Sequence, residues 1–373
     1  VPFEALEPRW KVLRVDEVSP LDKDFDTAAY GLTVRLGISG NTQALEALKR
    51  ETNTALFASG NRNAEHLTSL MLTGTTAMVR YMAQRMEENG VLYPATDIKK
   101  VFGSVDIVHI SNEVPFYEQC PPANPVRREM RFCSDPKYFE LLQDIGMDVV
   151  ELTGNHILDW GVDPLLYTID LYDQKGIKYY GGGRNESDAR KALIVEDHGN
   201  RLGFIGCSPA GPTNVWATAT QPGSAQCDFD YIRTQIQDML ADGIIPIFTF
   251  QHYESDDYRP TPMQRPGDFH MVSEMGAAIV SGSQSHFPQA MTFDGQGFIH
   301  YGLGNTFFDQ MDDYHRMAFI DRHVFYEGRY ISTELKTIIL EDYARPREMT
   351  PQERQKFLQT IFGASDWEIA ENK

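Results

Sequence analysis

The feature that most constrains the fold of this chain is a short apolar strand followed directly by a polar loop, a pairing that recurs along the sequence. The polar loops are Gly74-Thr75-Thr76, Asn112-Glu113, Asn155-His156, His252 and Gln284-Ser285-His286. Helical patterns separate several of the strands, as in residues 77–89 and 165–174. This alternation predicts an α/β fold with a mostly parallel sheet.

The polar loops are predicted to converge, because the carboxyl ends of parallel strands lie on one edge of a sheet. Their carboxylate, amide and imidazole groups suit a divalent metal such as Mn, Zn or Fe. His156 can exchange a proton near neutral pH, and Asp159 could hold its ring in one tautomer. At each single position a structural role is the alternative; Asn155, for example, could simply cap the following turn.

Charge and composition exclude several classes of protein. The net charge of −19 and pI near 4.9 argue against nucleic-acid binding and against binding to an anionic membrane surface. Apolar and charged contents of 42% and 23% are typical of a globular protein. No apolar run reaches the roughly 18 residues of a transmembrane helix. The chain starts at Val1 without Met, so we expect a processed or trimmed piece, and any export signal or anchor could have been lost with the missing part.

The four cysteines form two local pairs, Cys120 with Cys133 and Cys207 with Cys227. Four cysteines permit three connectivities, and the two local loops are the simplest. We predict these two disulfides, with four reduced thiols as the alternative. In a secreted protein each bridge would contribute roughly 3 kcal/mol by closing its loop.

Three regions are predicted. Residues 1–62 form an accessory segment with a strand over 30–38 and a helix over 41–50. Residues 63–345 form the main domain, and residues 346–373 form a C-terminal helical tail.

The serial motifs resemble those of the CapA family of bacterial capsule and poly-γ-glutamate synthesis proteins, over roughly residues 66–340. The motifs that carry the resemblance are Leu72 to Arg80, Ser111-Asn112-Glu113, Gly154 to Gly161, Gly181-Gly182-Gly183, Phe204-Ile205-Gly206, His252-Tyr253-Glu254, Pro260 to Gln264, Gly282 to Gln289 and Tyr301 to Asn305. Their order along the chain makes the match specific.

The resemblance implies a four-layer αββα sandwich of the metallophosphatase type, with its site at the strand ends. It implies one metal position formed by Asn155, His252 and Gln284, a second served by His286, and Glu113 as the bridging ligand. His156 would be the general acid, oriented by Asp159, and Arg80 would hold an anionic substrate group. Asn112 and Glu254 are predicted as further substrate-binding residues.

Two positions depart from the family pattern. The family usually has Gly-Asp at the first motif, whereas this chain has Gly74-Thr75-Thr76, and a hydroxyl is a poor substitute for a carboxylate at a divalent cation. The closing motif usually has two histidines, and Gln284 replaces the first. The expected occupancy is therefore open: two ions, one, or none.

The first functional hypothesis is an extracytoplasmic, metal-dependent hydrolase that resembles phosphoesterases and acts on a phosphorylated substrate or an anionic polymer. In it, metal-activated water attacks and His156 protonates the leaving group. The alternative is an inactive polymer-binding or assembly protein on the same fold, and a third is a cytoplasmic enzyme with free thiols. A membrane-bound synthesis complex is the expected partner, and nucleic acid is not.

Overall fold

The computed structural model describes residues 1–35, 39–51, 60–126, 129–295 and 297–365. Its strands are β1 (Leu67–Thr73), β2 (Thr75–Thr76), β3 (Ile107–Asn112), β4 (Val149–Glu151), β5 (Lys178–Tyr180), β6 (Gly182–Gly183), β7 (Leu193–Asp197), β8 (Asn200–Cys207), β9 (Gly223–Ser224), β10 (Ile245–Gln251), β11 (Ile279–Ser283), β12 (Met291–Asp294), β13 (Gly297–His300), β14 (Asn305–Phe307), β15 (Met317–Tyr326), β16 (Arg329–Glu341) and β17 (Arg345–Glu348). Its α-helices are α1 (Thr42–Glu51), α2 (Arg80–Asn89), α3 (Lys99–Phe102), α4 (Phe139–Asp144), α5 (Val162–Lys175), α6 (Glu186–Ala189), α7 (Phe229–Ala241), α8 (Phe269–Glu274) and α9 (Pro351–Ala364).

Two large sheets organise these elements. The first has the order β14-β2-β3-β1-β15-β16-β17, with β4 and β5 continuing from β3. The second has the order β12-β13-β11-β10-β8-β7. Strands β2, β3, β4 and β5 are mutually parallel, as are β8, β10, β11 and β13. Most of the predicted site loops therefore leave their sheets in a common direction.

The sheets pack face to face, because alternate residues of each strand point to opposite sides. Leu70 and Leu72 of β1 lie in a core shared with Phe204 and Ile247 of the second sheet. Met71, between the two leucines, instead packs in a separate core beneath α2, α4 and α5. Helices α7 and α8 cover the outer face of the second sheet in a third core. The predicted α/β class and the helix–sheet–sheet–helix layering are confirmed.

The first and last described segments of the chain both pack on this sandwich. Phe3, Leu6 and Leu21 bury their side chains against β1, β15 and β16. At the other end, α9 begins with a capping box formed by Thr350 and Glu353, and its Phe357 enters the core between the sheets.

The predicted strand over residues 30–38 is wrong for the part that the structure describes. Residues 30–35 form turns and irregular backbone, and residues 36–38 lie outside the described ranges. The side chains of Leu32 and Val34 stay 58% and 83% exposed. Alternating polarity favours a strand only where a neighbouring strand covers one face, and none does so here for the described residues.

Both predicted disulfides, Cys120–Cys133 and Cys207–Cys227, are present. The reduced-thiol alternative is therefore not the state that the structure shows.

Among the described helices, none combines the length and apolarity needed to cross a bilayer.

Two buried histidines make the fold sensitive to acid. Burial lowers the pKa of His109 to about 3 and that of His323 to about 4. The unfolded chain takes up these protons from about pH 6.5 downward, so their contribution to stability is complete above that pH and declines as the pH falls towards 4. We expect each histidine to reduce the free energy of unfolding by about 1.4 kcal/mol per pH unit within this window.

Urea unfolding at a series of pH values between about 7 and 5 measures this slope. In the His323→Gln variant, the slope of the unfolding free energy against pH should be smaller by the contribution of one proton. A slope identical in the variant and the wild type would contradict the assignment of one of the two protons to His323.

Candidate metal centre

The ends of parallel strands from both sheets meet at one place. In the first sheet, β3 pairs with β2 through Ser111 and Thr75, and with β4 through Ser111 and Glu151. In the second sheet, Gln251 at the end of β10 is in register with Ser283 of β11. The backbone N–H of Gln284 donates to Thr75 Oγ1 at 3.4 Å, so the edge of the second sheet touches the edge of the first.

Glu113 lies at the centre of this meeting point. Its side chain is 2% exposed, and Oε1 is 3.9 Å from His156 Nε2 and 3.9 Å from His286 Nε2. Gly154 allows the close approach: a Cβ there would lie 2.5 Å from the carbonyl oxygen of Glu113. The chain therefore passes directly over Glu113 just before Asn155 and His156.

A hydrogen bond fixes the ring of His156. Nδ1 lies 2.7 Å from Asp159 Oδ2, and the same carboxylate oxygen accepts the backbone N–H of Phe132 at 2.7 Å. The Phe132 ring packs edge-on against the imidazole, with centroids 4.7 Å apart. With Nδ1 donating to Asp159, Nε2 is the nitrogen directed at Glu113.

The electrostatic surroundings raise the pKa of His156. Burial of the ring opposes its charge, but the hydrogen bond to Asp159 and the negative charges of Glu113, Asp159 and Glu254 together outweigh burial. The imidazole is therefore held in a form that can carry a proton near neutral pH.

The other two histidines are also oriented by neighbours. His252 Nε2 lies 3.1 Å from Asp268 Oδ2, and His286 Nδ1 lies 2.8 Å from Asn305 Oδ1. Such partners set the tautomer of a metal-binding histidine and leave its second nitrogen for the ion. Gln284 and His286 both have positive φ angles, +73° and +53°, which non-glycine residues adopt mainly where function or tight packing requires it.

The donor atoms fit a divalent cation. Glu113 Oε2, Asn155 Oδ1 and His252 Nδ1 are buried and have no hydrogen-bond partner among the described residues. An unsatisfied buried polar atom costs about 1–3 kcal/mol, more if it is charged. One carboxylate oxygen, one amide oxygen and one imidazole nitrogen are ligands that Mn, Zn and Fe accept. These three residues could hold such an ion.

The remaining predicted ligand is engaged within the protein. The side-chain amide of Gln251 donates to Gln284 Oε1, and Ser283 Oγ donates to Gln251 Oε1 at 2.7 Å. The oxygen of Gln284 that would face a metal therefore already accepts a hydrogen bond.

Arg80 is paired with a carboxylate of its own chain. Nε lies 3.1 Å and 3.2 Å from the two oxygens of Asp309, and Nη2 also contacts Asp309. The guanidinium lies between the rings of Phe132 and Phe308, at 5.1 Å and 4.8 Å from their centroids. The Arg80 guanidinium group, which the resemblance assigns to substrate binding, is thus paired with Asp309.

The two predicted substrate contacts differ in position. Asn112 is 1% exposed, and its amide donates to Val114 O at 2.9 Å and to Tyr172 Oη at 3.0 Å, so its N–H groups are used inside the fold. Glu254 is exposed, and its charge acts on His156. Glu254 therefore lies within electrostatic range of the centre.

Another group with ligand-type atoms, Asp106, Asp197 and His198, lies away from this centre. Asp106 precedes β3, whereas Glu113 follows it. Lys23 pairs with Asp106, and Ser69 donates to it through both its backbone and its hydroxyl. These carboxylates already have partners, so we assign them no metal.

Several residues around the centre were not predicted from the sequence. Asp268, Phe132, Phe308 and Asp309 lie outside the motifs and contact His252, His156, His286 and Arg80, respectively. Asn305 stands within a motif of the family resemblance, but its contact with His286 Nδ1 depends on the folded chain.

Comparison with known proteins supports the family resemblance. The family model described as "Bacterial capsule synthesis protein PGA_cap" matches residues 69–310. The capsule biosynthesis protein CapA of Bacillus anthracis is 26% identical over 255 residues, which cover 67% of this chain and 62% of that protein. The PGA biosynthesis protein CapA of Bacillus subtilis is 22% identical over 251 residues, covering 66% of this chain and 65% of that protein. The chain thus spans less than two thirds of the length of these relatives.

Solved structures align more loosely. A 5'-nucleotidase precursor from Thermus thermophilus aligns with a TM-score of 0.43 at 13% identity, covering 80% of this chain and 58% of that one. The calcineurin-like phosphoesterase YfkN of Bacillus subtilis aligns with a TM-score of 0.39 at 10% identity, covering 80% and 98%. Likeness at this level says nothing about activity.

The family match includes the loops that carry Glu113, Asn155, His252 and His286, and it extends over more than half of the sequence. The chain belongs to the family of bacterial capsule synthesis proteins described as PGA_cap.

Proposed function

We propose that this protein is an extracytoplasmic, metal-dependent hydrolase of bacterial capsule or poly-γ-glutamate synthesis. Its substrate would be a phosphoester or a bond in an anionic polymer, and it would work beside a membrane-bound synthesis complex. The observation that carries the proposal is the set of three unpartnered buried donors, Glu113 Oε2, Asn155 Oδ1 and His252 Nδ1, beside an oriented histidine.

The chemistry needs an attacking water and a proton for the leaving group. A bound divalent ion would supply Lewis-acid polarisation and activation of water. As the bond between the scissile centre and the leaving atom breaks, His156 Nε2 would transfer its proton to that atom. Asp159 holds His156 Nδ1 at 2.7 Å and would stabilise the protonated ring before this transfer.

Two further observations support the proposed setting. Two disulfides occur in the structure, and disulfides persist mainly in oxidising compartments. The net charge of −19 means that an anionic substrate would need a local cation, which the metal would provide.

The test uses the whole chain, purified without chelator. Metal content is measured first, followed by hydrolysis of p-nitrophenyl phosphate, bis-p-nitrophenyl phosphate and poly-γ-glutamate with added Mn²⁺, Zn²⁺ or Fe²⁺. We expect hydrolysis of at least one substrate, its loss on chelation and its return with the ion. We also expect the Glu113→Gln variant to lose both ion and hydrolysis, because it removes the only carboxylate among the three unpartnered donors.

The matched control is His198→Gln, which changes a histidine away from the centre and should retain both properties. Failure of every substrate with every ion would contradict the proposal, as would full activity of Glu113→Gln.

A second candidate, a non-catalytic polymer-binding or assembly protein, is favoured by the hydrogen bonds that engage Thr75 and Gln284. These two residues stand where the family usually has stronger metal ligands. Retention of poly-γ-glutamate without hydrolysis of any of the three substrates would support this function.

A further inference from the structure

The two metal positions implied by the family resemblance are not equally built in this chain. One position retains Glu113, Asn155 and His252. The other retains His286 and a share of Glu113, and has Thr75 at the usual carboxylate position. The two positions differ in whether their ligand atoms already have hydrogen-bond partners in the protein.

The first position is prepared for an ion. Asn155 Oδ1 and His252 Nδ1 are buried and unpartnered, as is Glu113 Oε2. His252 is 1% exposed and is held through its other nitrogen by Asp268. A nitrogen so oriented and so deeply buried has no alternative partner among the described residues.

The second position is occupied by hydrogen bonds of the protein itself. Thr75 is fully buried, and its hydroxyl accepts the N–H of Gln284 at 3.4 Å. The Gln284 side chain, which the resemblance assigns to the first position, accepts a hydrogen bond from Gln251, so the first position depends on Glu113, Asn155 and His252. The Thr75 hydroxyl therefore contacts the loop after β11 at the position where a second ion would need an anionic ligand.

His286 alone does not replace that ligand. Its Nδ1 is bound to Asn305, and Nε2 lies 3.9 Å from Glu113 Oε1, the oxygen opposite the unpartnered Oε2. An ion held here would have one imidazole and a shared carboxylate from the protein. Divalent sites with so few protein ligands are weak.

We propose that this centre binds a single divalent ion through Glu113, Asn155 and His252, and that His286 is not required to hold it. The inference rests on the proposed metal binding and specifies its stoichiometry. Paired ions can clamp both the attacking and the leaving oxygen, whereas one ion leaves part of that task to protein groups. Protonation of the leaving group by His156 would then carry more of the reaction.

Metal titration measures the number of bound ions independently of hydrolysis. Apo-protein is titrated with Mn²⁺ by calorimetry, and retained metal is measured after desalting, for the wild type, His252→Gln and His286→Gln. We expect one ion per chain in the wild type, affinity reduced by at least about tenfold in His252→Gln, and one ion at nearly wild-type affinity in His286→Gln. Thermal unfolding of each apo-variant checks that the fold is intact.

Two ions per chain in the wild type would overturn the inference. So would the absence of any ion, or loss of the ion in His286→Gln with retention in His252→Gln. One ion without hydrolysis would leave the stoichiometry standing and contradict the proposed hydrolase, whereas two ions with hydrolysis would do the reverse.

Discussion

Hydrolysis by the His156→Gln variant should fall by roughly 10²- to 10⁴-fold, while its metal content stays at the wild-type level. Glutamine cannot transfer a proton, and His156 is not among the three residues proposed to hold the ion. The measurement is kcat/KM on the best substrate, beside elemental analysis of the same preparation.

Asp159→Asn is the matched variant for this prediction. It retains the size of the side chain but weakens the hold on His156 Nδ1, so we expect a smaller loss of kcat than in His156→Gln and again no loss of metal. If His156→Gln hydrolyses as fast as the wild type, His156 is not the acid. If it loses the ion, His156 acts as a ligand.

The Arg80→Met variant should be destabilised by about 3–5 kcal/mol, because it leaves the carboxylate of Asp309 buried without its counter-charge. Asp309 is 2% exposed, whereas Arg80 is 22% exposed. The backbone N–H of Tyr81 would remain as a hydrogen-bond donor to Asp309, at 2.9 Å. Chemical denaturation monitored by circular dichroism measures the free energy of unfolding.

The double variant Arg80→Met/Asp309→Asn separates the charge from the packing. It removes the uncompensated carboxylate, so it should be more stable than Arg80→Met alone. Equal stability of the single and double variants would contradict the ion-pair explanation. If the Arg80→Met variant is fully stable and loses only substrate affinity, this result would support the substrate-binding role that the resemblance implies for Arg80.

The fold was predictable because its signals are local. A run such as Leu67–Thr73, followed by a glycine and hydroxyl side chains, marks both a strand and its end. The carboxyl ends of two parallel strands lie on the same edge of a sheet, whatever their sequences. The sequence therefore predicts that the polar residues at those ends lie near one another.

The partners of those residues were not predictable, because they depend on which distant segments meet. Asp309 lies 229 residues from Arg80, and Asp268 lies 16 residues from His252 on another element. Nothing in the local pattern around Asp309 separates it from the other surface and buried acids of this chain. The helix predicted to begin at residue 77 begins instead at Arg80. Arg80 has a φ of +47°, and the chain turns there towards Asp309.

The bridge between Cys120 and Cys133 has a consequence for the chemistry next to it. The second cysteine immediately follows Phe132, whose backbone N–H donates to Asp159 and whose ring packs on His156. Arg131, one residue earlier, donates to the carbonyl oxygen of Asp159 at 2.6 Å. Formation of this disulfide therefore anchors the segment that positions the proposed proton donor, and a chain kept reduced would lack that covalent tether.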